Sequence, residues 1–265
     1  MPDEYRKELT NGFGRREKES TGGFGRREFI GATAAAVLVR PGLVRGAQAN
    51  SAVRIGLLGC GGRGSEVASS MGKNTTARVT ALADLFDDQL QAARARFDKI
   101  AGERGHAGVD PSQLFRGPKA FQQIVASKEV DAVIIATPAC YHPEHLEAAV
   151  AAGRHVYLEK PVAVDVAGCK RVIRAGEKAK GKLSLAVGFQ IRHASPYVEL
   201  ARRVHGGQIG APVSGQIHYF ASAIERPEFK DATPGERRLR NWVHDRALSG
   251  DIIVEQNIHI IDVTS

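Results

Sequence analysis

The chain is predicted to be an α/β protein in which a doubly wound parallel sheet is followed by an incomplete second domain of α+β type. Three observations predict this. Short, β-rich apolar runs alternate with longer stretches of helical spacing as far as Val187. A glycine-rich loop follows the first of these runs. Beyond Val187 the alternation stops, and one or two strand candidates with two helices cannot cover both faces of a second sheet.

Each element has its own signal. The runs at 53–58, 79–83, 133–136 and 155–158 are short and apolar throughout, as strands buried on both faces must be. Helices are expected at 65–71 and at 87–100, where Leu90, Ala93, Phe97 and Ile100 share one face. A third is expected at 118–125 with Pro118 early in its first turn, and a fourth at 143–152, stopped by Gly153. A helix at 165–180 and a strand at 183–187 complete the first domain, which spans 51–187. In the second, 188–265, residues 195–204 are expected to be helical, 207–210 a turn, 212–220 a strand and 250–264 a last helix.

Composition bounds the function. The chain has 265 residues, 43% of them hydrophobic, enough for a buried core, and a formal charge of +8. The first 49 residues hold nine Lys/Arg and six Asp/Glu, so the remainder carries +5. That charge is scattered with no basic block, which argues against nucleic acid as a partner. Three cysteines without metal spacing indicate neither a disulfide framework nor a zinc site, and no metal is expected.

Residues 1–49 read as an export address. Arg26-Arg27-Glu28-Phe29-Ile30 precedes a mild apolar stretch and the small-residue site Ala47-Gln48-Ala49. The paired arginines match a twin-arginine signal, so the twin-arginine export machinery is an expected partner and the periplasm or exterior the expected location. The apolar stretch is too short to form a stable membrane span. Gly-Phe-Gly-Arg-Arg-Glu occurs at both 12–17 and 23–28, but only the second copy leads into an apolar stretch.

The glycine loop predicts a nucleotide. Gly59, Gly61 and Gly64, with Gly62 and Arg63 between them, form G-x-G-x-x-G between a strand and a helix. The first permits a tight turn, the second admits a pyrophosphate, and the third lets helix and strand approach. Asp84 ends the next strand, 20 residues past Gly64, where a carboxylate accepts ribose hydroxyls and repels a 2′-phosphate. NAD is therefore expected, with Arg63 leaving NADP open. Thr137-Pro138 ends a third strand at the same edge and is a candidate wall for the nicotinamide ribose. Lys160 follows the strand at 155–158 at that edge too, where open α/β sheets bind ligands. Pro161 restricts its backbone to extended geometry, and Glu159 is placed to orient the ammonium or touch the ribose. Glu255 and His259, spaced i, i+4, are expected on one helical face, the carboxylate raising the basicity of the imidazole. Gln190 and Arg192 leave the last strand of the sheet toward the cleft. By its residues alone His142 reads as a surface or capping group.

With these residues the chain resembles the Gfo/Idh/MocA family, which includes glucose–fructose oxidoreductase and inositol dehydrogenase. The markers are the loop at 53–61, Ala136-Thr137-Pro138 with His142, the run from Gly153 to Lys160-Pro161, the segment 187–192, and Glu255-Gln256-Asn257-Ile258-His259. The resemblance implies a Rossmann domain followed by a substrate domain on a mostly antiparallel open sheet. It implies hydride transfer between NAD(P) and a hydroxyl carbon of a sugar or cyclitol. By that likeness Lys160 binds and polarises the reacting hydroxyl, His259 is the base, Glu255 supports it, Arg192 joins them at the substrate, and His142, Glu159 and Gln190 join the cofactor contacts. Ala139 and Cys140 replace an Asn-rich stretch that many members carry. Members continue well past His259, so the chain reads as C-terminally truncated, and a homo-oligomer is an expectation for its full-length parent. Two other readings stay open on sequence alone: an NAD-dependent glycoside hydrolase of the same fold, and a truncated, non-catalytic nucleotide-binding fragment.

Overall fold

Six short runs pair side by side into one parallel sheet. The structure, a computed structural model, describes residues 52–265; the export signal expected at 1–49 lies outside the described residues. The elements in chain order are β1 (Arg54–Leu58), α1 (Gly62–Asn74), β2 (Arg78–Asp84), α2 (Asp87–Glu103), β3 (Leu114–Arg116), α3 (Ala120–Ala126), β4 (Ala132–Ile135), α4 (His142–Ala151), β5 (His155–Leu158), α5 (Val166–Ala179) and β6 (Leu185–Val187). The sheet order is β3-β2-β1-β4-β5-β6, every pair parallel. The chain winds outward from β1 to β3, then returns to place β4 on the other side of β1. That reversal opens a crevice at the carboxyl ends of β1 and β4, the place where doubly wound sheets bind ligands.

Alternation along each strand divides the core. Ile55, Leu57, Leu82 and Ile134 face one side, with Leu90 and Phe97 of α2. Leu58, Ala81, Ala83, Val133 and Ile135 face the other, with Ile124 of α3 and Leu146 of α4. Both faces are covered, which is why the strands read as continuous apolar runs rather than alternating ones. Leu57 is fully buried; truncating a side chain in such a place costs about 3 kcal/mol.

Local signals set the helix ends. Asp165 caps α5 by accepting from Gly168 N at 2.6 Å, and Gly153 ends the turn after α4 with φ +70°. Some boundaries differ from expectation. Strand β3 was not anticipated, because Leu114-Phe115-Arg116 is too short to show a period. Helix α1 begins at Gly62, so Gly64 lies inside its first turn. Pro118 precedes the start of α3 rather than lying within it.

Beyond β6 the chain forms α6 (Ser195–His205), α7 (Pro234–Arg240), α8 (Arg246–Ser249), α9 (Asp251–Glu255) and α10 (Ile258–Thr264). The strand expected at 212–220 is absent. Among the described residues no neighbour pairs with this segment, and Val213 and Phe220 are 97% and 92% exposed, so neither a ladder nor burial stabilises an extended strand. The single helix expected at 250–264 is instead two, broken at Gln256 and Asn257. No helix among the described residues is long and apolar enough to cross a membrane.

Candidate functional site

The carboxyl ends of β1, β2, β4 and β5 bring most of the candidate residues to one edge of the sheet. Gly59 follows β1 with φ +94°, and a Cβ there would lie 2.6 Å from the carbonyl carbon of Ala136. A Cβ on Gly64 would lie 2.1 Å from the Gly59 oxygen. These two glycines are required by the fold. Gly61 and Gly62 are different: a Cβ on Gly61 would meet only Gln89 Oε1 at 3.9 Å, and one on Gly62 nothing within 4 Å. Their open sides leave room for a ligand to approach the backbone. No side chain caps the first turn of α1, so its free N–H groups face that space.

Asp84 closes the other side of the loop. Its carboxylate accepts from Cys60 N at 2.7 Å and from Phe86 N at 2.8 Å. Burial pushes its pKa above the usual carboxylate value, against the pull of those N–H donors. Glycines open to a pyrophosphate, an uncapped helix N-terminus and a carboxylate at the end of the neighbouring strand fit a dinucleotide.

Arg63 leans from α1 onto Glu159 at the end of β5. Its Nε donates to Glu159 Oε1 at 3.0 Å, and a second guanidinium nitrogen lies 2.9 Å from the same oxygen. Glu159 is buried and also accepts from Tyr157 OH at 3.3 Å. Burial, reinforced by the Glu159 charge, pushes the Tyr157 phenol up to about 12.

Thr137 and His142 tie two loops together. The His142 ring nitrogens lie 2.8 Å from the Thr137 carbonyl and 2.7 Å from the Pro161 carbonyl. Thr137 Oγ1 lies 2.9 Å from His145 Nδ1. Burial pushes both imidazoles down to about 4.

Lys160 comes next, ahead of a cis bond to Pro161. Its Nζ donates to the Glu255 carbonyl at 2.5 Å and to Glu255 Oε1 at 2.7 Å, both side chains largely buried. This contact coincides with the helix break. In a continuous helix His259 N would donate to the Glu255 carbonyl; here Lys160 occupies that oxygen, and His259 N donates to the Gln256 carbonyl at 3.3 Å. His259 is 5% exposed, its ring stacked on Tyr219 at 5.5 Å, and its buried Nδ1 has no hydrogen-bond partner among the described residues. Burial, and then the nearby Lys160 charge, lower its pKa; Glu255 opposes them.

Residues 53–189 match the family described as the GFO/IDH/MocA oxidoreductases with an NAD-binding Rossmann fold. The chain belongs to the Gfo/Idh/MocA family. Inositol 2-dehydrogenase 3 of Saccharopolyspora erythraea is 33% identical over 162 residues, which are 61% of this chain and 43% of that protein. The crystal structure of myo-inositol dehydrogenase from Lactobacillus casei with NAD(H) and myo-inositol is 25% identical with a TM-score of 0.51, over 61% of this chain and 43% of that one. Aldose–aldose oxidoreductase from Caulobacter crescentus, crystallised with glycerol, is 20% identical with a TM-score of 0.59, over 80% of this chain and 56% of that one, a likeness of fold. The chain spans about half the length of the curated relatives it matches.

In this Gfo/Idh/MocA chain several sequence expectations need correction. Glu255 pairs with Lys160 as well as raising the His259 pKa, and it does so across a break in the helix assumed to align the pair. Glu159 does not orient the ammonium; Arg63 and Tyr157 hold it instead. His142 is 1% exposed and braces the Thr137 and Pro161 carbonyls, so it has no free face for a cofactor. Arg192 is bound to Asp262, whose side chain is buried and whose charge reaches His259, so it stays close to the proposed base; it lies 5.8 Å from the Phe189 ring, and Gln190 is exposed. Tyr157, which holds Glu159, Tyr219, which stacks on His259, and Arg240, which lies 3.9 Å from the Phe86 ring beside Asp84, carry no signal of these contacts in the sequence. Tyr157 reads as an ordinary strand residue, and no local pattern links the other two to the sheet edge.

Proposed function

We propose that this chain carries the cofactor site and reacting groups of an NAD-dependent oxidoreductase acting on a hydroxyl carbon of a sugar or cyclitol. The observation that carries this reading is the Lys160 ammonium, fixed by Glu255 at the same sheet edge as the glycine cradle and beside a buried His259. The relatives named for inositol, and the Lactobacillus casei structure holding NAD(H) and myo-inositol, support it.

The Gly59–Gly64 cradle and Asp84 would hold NAD, which would supply the acceptor for the hydride leaving the hydroxyl carbon. The protein's part is proton and charge. Lys160 has three N–H donors; two meet Glu255, and the third is left to donate to a substrate oxygen and stabilise its growing negative charge. His259, held neutral by burial, takes the hydroxyl proton, and the carbon becomes a carbonyl. In the reverse direction the imidazolium returns the proton.

NAD is preferred to NADP. A 2′-phosphate would meet Asp84, with Asp87 and Asp88 close by in the first turn of α2, and Arg63 is engaged by Glu159. Titration with NADH and NADPH tests this: NADH binding at least tenfold tighter is expected, and equal binding would refute the assignment of Asp84.

Residues 188–265 are read as belonging to the substrate domain, and a homo-oligomer is proposed. Export by the twin-arginine route rests on Arg26-Arg27 ahead of an apolar stretch. Retention of an Arg26→Lys/Arg27→Lys variant in the cytoplasm is the expected result; normal export of that variant would refute it.

A further inference from the structure

Arg240 sits at the other end of the crevice from Lys160. Its guanidinium carbon lies 3.9 Å from the ring centroid of Phe86 and 5.3 Å from that of Phe229. Two of its nitrogens donate to the two oxygens of Asp88 at 2.9 and 2.8 Å, and its Nε donates to Glu236 at 2.9 Å. The Arg240 side chain is 14% exposed, while that of Asp88 is 58% exposed. A bidentate pair of this kind holds the guanidinium in one plane, and stacking on an aromatic face adds to it.

Phe86 and Asp88 are not an arbitrary anchor. Phe86 N donates to Asp84, the carboxylate assigned to the ribose, and Phe86 is the residue from which α2 starts. Gln89, one turn further on, is the nearest group to the open side of Gly61. The turn from Asp84 to Gln89 therefore forms the adenosine side of the cradle, and Arg240 ties α7 to it across 152 residues of sequence.

We propose that Arg240 is a latch over the adenosine half of the NAD slot. Stacked on Phe86 and pinned by Asp88, it holds the segment around α7 against the Asp84–Gln89 turn and slows the departure of NAD. Its charge is already matched by Asp88 and Glu236, so it closes the slot without recruiting a 2′-phosphate. This proposal rests on the dinucleotide reading of the cradle and concerns cofactor retention, not the chemical step.

The test uses the whole chain. NADH is bound, chased with excess NAD, and its release followed by stopped-flow fluorescence; equilibrium binding of ADP-ribose and of nicotinamide mononucleotide is measured alongside. Arg240→Ala and Asp88→Asn are both expected to release NADH roughly tenfold faster and to weaken ADP-ribose by a similar factor, with nicotinamide mononucleotide unchanged. Asp88→Asn removes the charge pair from an exposed position, so it decides the matter if Arg240→Ala does not fold. Wild-type release rates in a folded variant would overturn the latch, as would equal weakening of both half-ligands. Failure of the wild-type chain to bind NADH would instead overturn the cofactor reading beneath it.

Discussion

The ammonium of Lys160 lies 2.5 Å from the backbone carbonyl of Glu255 and 2.7 Å from its carboxylate, so the end of β5 meets the chain at the residue where the helix ahead of His259 ends. In the proposed reaction this lysine polarises the substrate oxygen, and its partner Glu255 ends the helix just ahead of the one that carries His259.

Replacing Lys160 separates chemistry from binding. Lys160→Met should leave the affinity for NADH within about threefold of wild type and lower kcat by on the order of a thousandfold. Steady-state kinetics beside an NADH titration reads both. A variant that loses NADH binding and turnover together would mean that Lys160 shapes the cradle instead.

The pH profile should report His259. Its pKa is lowered by burial and by Lys160, so the neutral base persists below the usual histidine value. The expected kcat/KM is flat through neutral pH and falls only on the acid side of about pH 6.5, the unperturbed value for histidine. His259→Ala should lower kcat by on the order of a hundredfold or more and remove this acid limb. An acid limb unchanged in His259→Ala would assign it to another group.

The glycines of the cradle divide into two kinds. Gly64→Ala drives a Cβ to 2.1 Å from the Gly59 oxygen, so thermal unfolding should occur at markedly lower temperature. A Cβ on Gly61 meets only Gln89 Oε1 at 3.9 Å, so Gly61→Ala should leave stability nearly unchanged while NADH affinity falls at least tenfold, its methyl entering the space the pyrophosphate needs. Scanning calorimetry and an NADH titration on both variants check the division.

Two buried histidines should make the fold acid-sensitive. His142 and His145 titrate near 4 in the folded chain and near 6.5 when unfolded. Between those values the unfolded state binds more protons, so stability is full above about pH 6.5 and declines as pH falls toward 4. Each shift corresponds to a loss on the order of 3 kcal/mol at the acid end. Urea midpoints across this range should fall with pH in the wild type and fall less steeply in His145→Gln, which keeps a polar partner for Thr137.

Much of the sheet was readable because its chemistry is local. Buried parallel strands must be apolar on both faces, so β1, β2, β4 and β5 stand out as runs, and the Gly59–Gly64 spacing with Asp84 needs only a strand, a turn and a helix. Lys160 was readable from its place at a strand end. What escaped depends on partners distant in sequence. The Glu255–Lys160 contact spans 95 residues, and the i, i+4 reading of Glu255 with His259 assumed an unbroken helix. The role of His142 follows from its burial between two carbonyls, which no spacing encodes. The alternation at 212–220 has the period of a strand, but without a neighbouring ladder a period alone does not make one.

The most direct test of the account is NADH formation when the NAD-loaded chain is mixed with myo-inositol, scyllo-inositol or an aldose, compared with Lys160→Met under the same loading. The account predicts NADH from the wild-type chain with at least one of these alcohols and none above background from Lys160→Met. Bound NAD with no NADH from any of them, or equal NADH from both proteins, would contradict it.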